Sequence, residues 1–209
     1  LIVDDILENN QKFKLIQFLE KWIKNKIETV LKSLVDIKDL KEKNSSIKAL
    51  AFQLYEKNGV LKREQVSEYL KNLGQEERKV LRGLGVKFGR YHIFLHRLIK
   101  PEPVSLRTLL WKNYNQKYFN LKPPTFGLNF LENKDLKNKN FMLLCGFEKF
   151  DNFFVRIDIL ERLFMQIINS GSGENKEIKL VPEMLNLLGC SKDNFKKLLQ
   201  KMNYKIFEK

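Results

Sequence analysis

The sequence is poor in the residues that build special chemistry. Its 209 residues include 2 Cys, 2 His, 5 Pro and 10 Gly. Cys145 and Cys190 have no second Cys at CxxC spacing, which excludes a disulfide-dense secreted scaffold and predicts reduced thiols in a cytoplasmic setting. With only His92 and His96 to add, no all-protein zinc site is expected, because both histidines fall in a segment that reads as extended rather than helical. The scarcity of Gly and Pro excludes collagen-like and low-complexity chains. No apolar run approaches the roughly 20 residues of a membrane-spanning helix. Leu1 to Leu7 holds Asp4 and Asp5 where a secretory signal would carry positive charge, so neither export nor a membrane partner is expected. The chain starts at Leu1 without an initiating Met, as a piece of a longer protein would.

Catalytic signatures are missing as well. There is no GxxxxGK[ST] phosphate loop, no GxGxxG after a strand, no GxSxG elbow and no HExxH. No catalytic residue and no metal ligand is therefore assigned, and the chain alone is expected to hydrolyse no ATP. The glycines of GLGVKFG, Gly83, Gly85 and Gly89, match no phosphate fingerprint and read as close backbone packing at a helix-to-strand corner.

What the sequence does have is positive charge, +14 overall, unevenly spread. Residues 62–122 hold 14 Lys/Arg against 5 Asp/Glu, and between Arg78 and Leu131 the only acid is Glu102, against 11 Lys/Arg. A solvated face mixes its signs, whereas one that does not creates a field suited to a polyanion. Charge excess alone is equally a solubility device; the missing acids favour nucleic acid.

Hydrophobic periodicity predicts a mainly α protein. Ile16, Leu19, Ile23, Ile27, Val30 and Leu34 mark one long amphipathic helix. A second helix starts at Ser45 and Ser46 and ends at Asn58 and Gly59, a third covers Arg63 to Leu73, and a fourth covers Glu76 to Leu84. Val86 to Leu95 reads as a short hairpin, and the PEP at Pro101 to Pro103 as irregular chain before a helix capped by Ser105. Further on, Phe147–Phe150 and Phe153–Arg156 read as strands joined at Asp151 and Asn152. Asp158 with Glu161 reads as a helix cap, 170–177 as a loop, and Ile178 with Leu180 as a brief strand. Helices then open at Pro182 and at Ser191, before a final strand through Tyr204 and Ile206. The expected fold is an N-terminal antiparallel helical bundle with a short β-hairpin (1–116), a linker (117–140), and a small C-terminal winged-helix-like α/β module (141–209).

Several stretches are familiar. LAFQLYEKNGVLKREQV, ERKVLRGLGVKFGRYHIFLHRLIKPEPVSLRTLLW, VRIDILERLF and VPEMLNLLGCSKDNFKKLLQKMNYKI together cover well over half the chain. They resemble the region that follows the motor in superfamily 2 RNA helicases of the suppressor-of-var type, in particular the α-proteobacterial relatives. The resemblance implies an ATP-dependent RNA helicase whose tandem motor domains, with their ATP and Mg²⁺, precede this region in the same polypeptide. It further implies that the region packs on the motor and lines the path of single-stranded RNA.

The residues expected to meet RNA phosphates are Arg78, Lys79, Arg82, Lys87, Arg90, Arg97 and Lys100, joined by Lys196, Lys197 and Lys201 on the last helix. Tyr91, His92 and Phe94 are open to two readings, as base-stacking surfaces or as core. Two rival functions stand beside RNA binding. One is a protein-docking scaffold for a ribonuclease or other RNA-decay partner; the other is a free-standing DNA-binding regulator, which is disfavoured because the charge lies outside the helix-turn-helix-like segment.

Overall fold

The computed structural model describes residues 8–41, 45–132, 138–150, 152–170 and 180–205. The expected turn residue Asp151, the loop at 171–177, and the strand residues Ile178 and Ile206 lie outside the described residues. The protein is mainly helical, with ten α-helices and two small three-stranded antiparallel sheets among the described residues. None of those helices is long and apolar enough to cross a membrane.

Helix α1 (Asn9–Val30) is followed after Leu31 by α2 (Lys32–Lys38), so the single long helix expected from periodicity is broken. Leu31 leaves helical geometry at φ −100°, ψ 23°, and the redirected α2 buries Leu34 and Ile37. Helix α3 (Ser45–Glu56) follows and ends as the sequence suggests, with Asn58 and Gly59 both at positive φ. Strand β1 (Val60–Lys62) comes next, and a 3₁₀ turn at Arg63–Val66 with α4 (Ser67–Lys71) occupies the stretch expected as one helix. Next come α5 (Gln75–Gly83), β2 (Val86–Phe88) and β3 (His92–Leu95). The expected hairpin is present, and β1 joins it in the order β1-β3-β2.

Helix α6 (Pro101–Tyr114) begins at the PEP itself rather than at Ser105. Pro fits the first helical turn because its missing N–H would have found no intrahelical acceptor there and its φ is already helical. Arg107 on this helix is only 3% exposed, so one of the cations counted in the acid-free stretch belongs to the interior. Its Nη1 and Nη2 donate to the Asn58 and Leu98 carbonyls at 2.6 and 2.5 Å. Burial lowers its pKa to about 10, which still leaves it charged at neutral pH.

The second sheet is built from β4 (Phe130–Glu132), β5 (Phe147–Phe150) and β6 (Phe153–Arg156), with α7 (Lys139–Leu144) between β4 and β5. Strand β4 comes from the stretch expected as linker and pairs with β6, giving the order β4-β6-β5. Helix α8 (Ile157–Ser170) starts directly after β6. Asp158 is drawn into an ion pair with Arg156 at 2.7 Å, so it forms no capping box with Glu161. Helices α9 (Pro182–Leu188) and α10 (Lys192–Lys201) close the description, with Gly189 at φ 69° and the Ser191 hydroxyl accepting from the Asn194 N–H.

The two sheets repeat one another down to single hydrogen bonds. Val60↔Phe94 and Val86↔Leu95 in the first recur as Phe130↔Val155 and Phe147↔Arg156 in the second. The His96 N–H donates to the Gly85 carbonyl, and the Ile157 N–H to that of Gly146; both glycines sit at positive φ. The first sheet packs one face on a leucine-rich core from α2 to α5 that includes Ile47, Leu50, Leu54 and Leu81. Val60 and Phe94 on its other face pack with Ile157.

These glycines allow a direct test of packing against backbone strain. A Cβ on Gly146, at φ +86°, would lie 2.7 Å from Ile99 Cγ2, whereas one on Gly127, at φ +94°, meets nothing within 4 Å. Gly127→Ala is expected to cost about 1–2 kcal/mol from left-handed backbone strain alone. Gly146→Ala adds overpacking of about 1–3 kcal/mol, and chemical denaturation of the two variants measures the difference.

Candidate nucleic-acid interface and the buried junction beside it

Helix α5 starts after Gly74 in extended conformation, carries Glu76 and Glu77 in its first turn where the helix dipole favours acids, and ends at Gly83, ahead of Gly85 at positive φ. Its Leu81 is fully buried, which turns Lys79 and Arg82 outward to solvent. Lys79 has Glu76 at 3.9 Å, but both side chains are four-fifths exposed or more, and such a contact contributes almost nothing.

Arg78 is committed elsewhere. Its Nη2 donates to the Leu70 carbonyl at 2.7 Å and its Nε to that of Leu73 at 3.2 Å, satisfying acceptors at the end of α4. The guanidinium groups of Arg78 and Arg82 both lie over the Phe88 ring, at 5.6 and 5.7 Å from its centroid. On β2, Val86 and Phe88 face the α5 side, and strand alternation sends the exposed Lys87 to the other. Arg90 lies at the hairpin tip over Phe164, 5.7 Å from the ring centroid. Arg97 and Lys100 are exposed in the turn leading to α6. Lys197 and Lys201 are exposed and Lys196 half-buried on α10.

The structure thus brings Arg78, Lys79 and Arg82 together on one helix beside Phe88, and distributes the remaining predicted cations over the hairpin, the α6 entry and α10. Among the described residues, none of Arg82, Lys87, Arg97 and Lys100 pairs with a carboxylate. Glu102, the lone acid of the stretch, is held by Lys26 of α1 at 2.5 Å.

Two of the aromatic candidates are not available to bases. His92 and Phe94 are 2% and 4% exposed, because β3 is the central strand and both of its faces are covered. Tyr91 is half-buried, edge-on to Phe164 at 5.4 Å. Its hydroxyl pKa is pushed up to about 12, chiefly by burial and then by the neighbouring Tyr204.

The feature that sequence reasoning missed adjoins this surface. The Glu161 carboxylate on α8 accepts hydrogen bonds from three consecutive backbone N–H groups of the hairpin tip: Arg90, Tyr91 at 2.9 Å and His92 at 2.8 Å. Successive N–H groups converging in this way form an anion nest. Gly89 makes the approach possible, since a Cβ there would lie 2.3–2.6 Å from the Glu161 carboxylate atoms. The His92 Nε2 bonds Glu148 of β5 at 3.0 Å, and Lys62 of β1 donates to the same carboxylate at 2.8 Å. On its other side, His92 Nδ1 is 3.4 Å from Glu161 Oε1 without a well-aligned hydrogen bond, so that contact is electrostatic. No group of three or more His, Cys, Asp or Glu that could hold a metal ion occurs among the described residues.

Burial is the largest influence on His92 and disfavours its charged form. Glu148 and Glu161 together outweigh it and raise the imidazole pKa. Burial likewise works against the Glu148 carboxylate, but His92 and Lys62 outweigh it and lower its pKa. Both shifts have one cause, carboxylates that favour the charged form of His92 and a His92 and Lys62 that favour the charged form of Glu148.

With its folded pKa raised above 6.5, His92 contributes stability that is complete below pH 6.5 and lost as pH rises through the folded value. With its folded pKa lowered below 4.5, Glu148 contributes stability that is complete above pH 4.5 and lost as pH falls through the folded value. Thermal melting across pH is therefore expected to show greatest stability between about pH 4.5 and 6.5. His92→Gln should flatten the alkaline limb, and an unchanged limb would contradict the assignment. Comparison of the chain with protein-family models, curated proteins and solved structures finds no match in any of the three.

Proposed function

We propose that this chain is an RNA-binding accessory region of an ATP-dependent RNA helicase, holding single-stranded RNA by its backbone while motor domains of the same polypeptide act on it. The observation that carries the reading is that Lys79 and Arg82 on the outward side of α5, with Lys87, Arg97 and Lys100 exposed on neighbouring elements, lie in a stretch whose single acid is paired with Lys26. ATP and Mg²⁺ would belong to the motor, and the setting would be cytoplasmic.

The sequence places a winged-helix-like module at 141–209, but the element order α3, β1, α4, α5, β2, β3 with sheet order β1-β3-β2 supports such a reading for residues 45–95 instead, in which α5 takes the place of the recognition helix. The wing is the part of such a unit that often meets nucleic acid, but here its tip N–H groups are taken by Glu161. RNA contact then falls to the exposed side of α5. Side chains of this kind on a helix contact phosphate without reading bases, so little sequence preference is expected.

A docking role for a ribonuclease is the second reading, and it has its own support. Helix α1 leaves Phe13, Phe18 and Trp22 more than half exposed, and a cleft of about 740 Å³ lies between α1, α2 and α6. An apolar face of this kind suits a protein partner, the helicase motor included.

Salt titration of labelled homopolymeric RNA against the full chain tests the first reading. Affinity should fall steeply with salt, with a slope of about −0.7 per neutralised phosphate. The triple variant Lys79→Glu, Arg82→Glu, Lys87→Glu should reduce that slope by about 2. A control triple on α1, Lys14→Glu, Lys21→Glu, Lys24→Glu, removes the same charge and should leave most of the slope intact. Equal losses would mean that net charge alone is measured, and absence of binding at low salt would leave the docking reading.

A further inference from the structure

The hairpin equivalence between the two sheets extends to the C-terminal helices. VSEYLKNLG at Val66 to Gly74 aligns without gaps on VPEMLNLLG at Val181 to Gly189, with five of nine residues identical. In each copy a short helix, α4 or α9, is followed by a longer one, α5 or α10. The longer helices also end alike. Leu84 N–H donates to Val80 and Gly85 N–H to Arg82, while Met202 N–H donates to Leu198 and Asn203 N–H to Gln200. Gly85 and Asn203 then both stand at positive φ, 90° and 67°.

Aligned on that shared ending, Arg78 corresponds to Lys196, Lys79 to Lys197 and Leu81 to Leu199, while Gln200 stands in the Arg82 position and Lys201 follows it. The exposure of these three pairs agrees, half-buried, exposed and buried, whereas exposed Val80 corresponds to buried Leu198. The corresponding helix between the two sheets, α7, does not share this surface. Asn140 stands in the Lys79 position, and half-buried Leu143 stands in place of Arg82. Basic outward faces therefore occur on the first and last of three equivalent helices. On α10, Lys192, Lys196, Lys197 and Lys201 are opposed by a single acid, Asp193.

We infer that α10 is a second phosphate-contacting helix, equivalent to α5, so that one RNA strand is held at two separate places on the chain. This rests on the RNA-binding reading above. Two weak sites on one body make binding of a long strand partly intramolecular, so its affinity exceeds that of a strand too short to reach both. The identity of the bases is irrelevant to such a clamp; its length is not.

The test compares short and long oligouridylate, of about 6 and about 30 nucleotides on the extent a single-stranded site covers, binding to the full chain by fluorescence anisotropy. The variants are Lys79→Glu with Arg82→Glu, Lys197→Glu with Lys201→Glu, and all four together. Their side chains are exposed, so melting temperatures should match the parent; if either pair fails to fold, the corresponding Gln pair replaces it. Each pair is expected to lower affinity for the long strand about tenfold or more, but for the short strand only about twofold, because the other site remains. If the α10 pair leaves long-strand affinity unchanged while the α5 pair lowers it, the second site is overturned and RNA binding by α5 stands. If each pair weakens short and long strands equally, the cations act as one surface and the two-site clamp is overturned. If neither pair matters while the strand still binds, RNA is held elsewhere and both helix sites are overturned; if the parent chain binds neither strand at low salt, the RNA-binding reading itself fails.

Discussion

The protein depends on a carboxylate that holds a hairpin. Glu161 of α8 receives three backbone N–H groups from residues 90–92, approaches through the space left by Gly89, and faces the buried His92 that Glu148 holds from the other side. Hydrogen bonds to a charged acceptor contribute about 1.5–3 kcal/mol each. Removing one member of a buried ionic group costs about 3–5 kcal/mol, because the other is left uncompensated. With Lys62 on Glu148, the network binds two strands of the first sheet to the second sheet and to α8. The tip of the first hairpin is consequently a structural joint, and its position leaves the solvent side of α5 open.

That joint sits within a repeated architecture. The same strand register, the same positive-φ glycine after a helix and the same bond from the end of the hairpin back to that glycine occur in both sheets. The same local backbone solution can carry different chemistry, since only the outward positions are free to vary. At the position after Val86 or Phe147 in the edge strand, Lys87 is exposed in one copy and Glu148 is buried in the other. The exposed member adds to a basic surface, while the buried member anchors the His92 junction.

Much of the helical framework was legible because its signals are local. The stops at Asn58 with Gly59 and at Gly189, the Ser191 cap, and the β-branched and aromatic run of the first hairpin all act within a few residues. Three features escaped for physical reasons. Strand β1 is three residues long, too short to show alternation, and is fixed by pairing with β3. The PEP segment carries two prolines that look like a break, yet the first helical turn tolerates both. Glu161 sits where a capping residue would, and nothing nearby in sequence reveals acceptors of its kind 69 positions from their donor at His92. The charge of the candidate interface was equally legible, but its division between faces was not. Composition treats Arg78, Lys87 and Arg107 alike, although one caps α4, one lies on the far side of a strand and one is buried.

On the proposed function, RNA meets the outward faces of helices while the hairpin tip remains locked to Glu161. Amide hydrogen exchange of the full chain, with and without saturating single-stranded RNA at low salt, tests it most directly. Slow exchange at residues 90–92 in both conditions, with added protection confined to α5 and α10, is the predicted result. Rapid exchange at 90–92 in the free protein that becomes protected by RNA, with α5 and α10 unchanged, would make the tip the RNA contact and contradict the account.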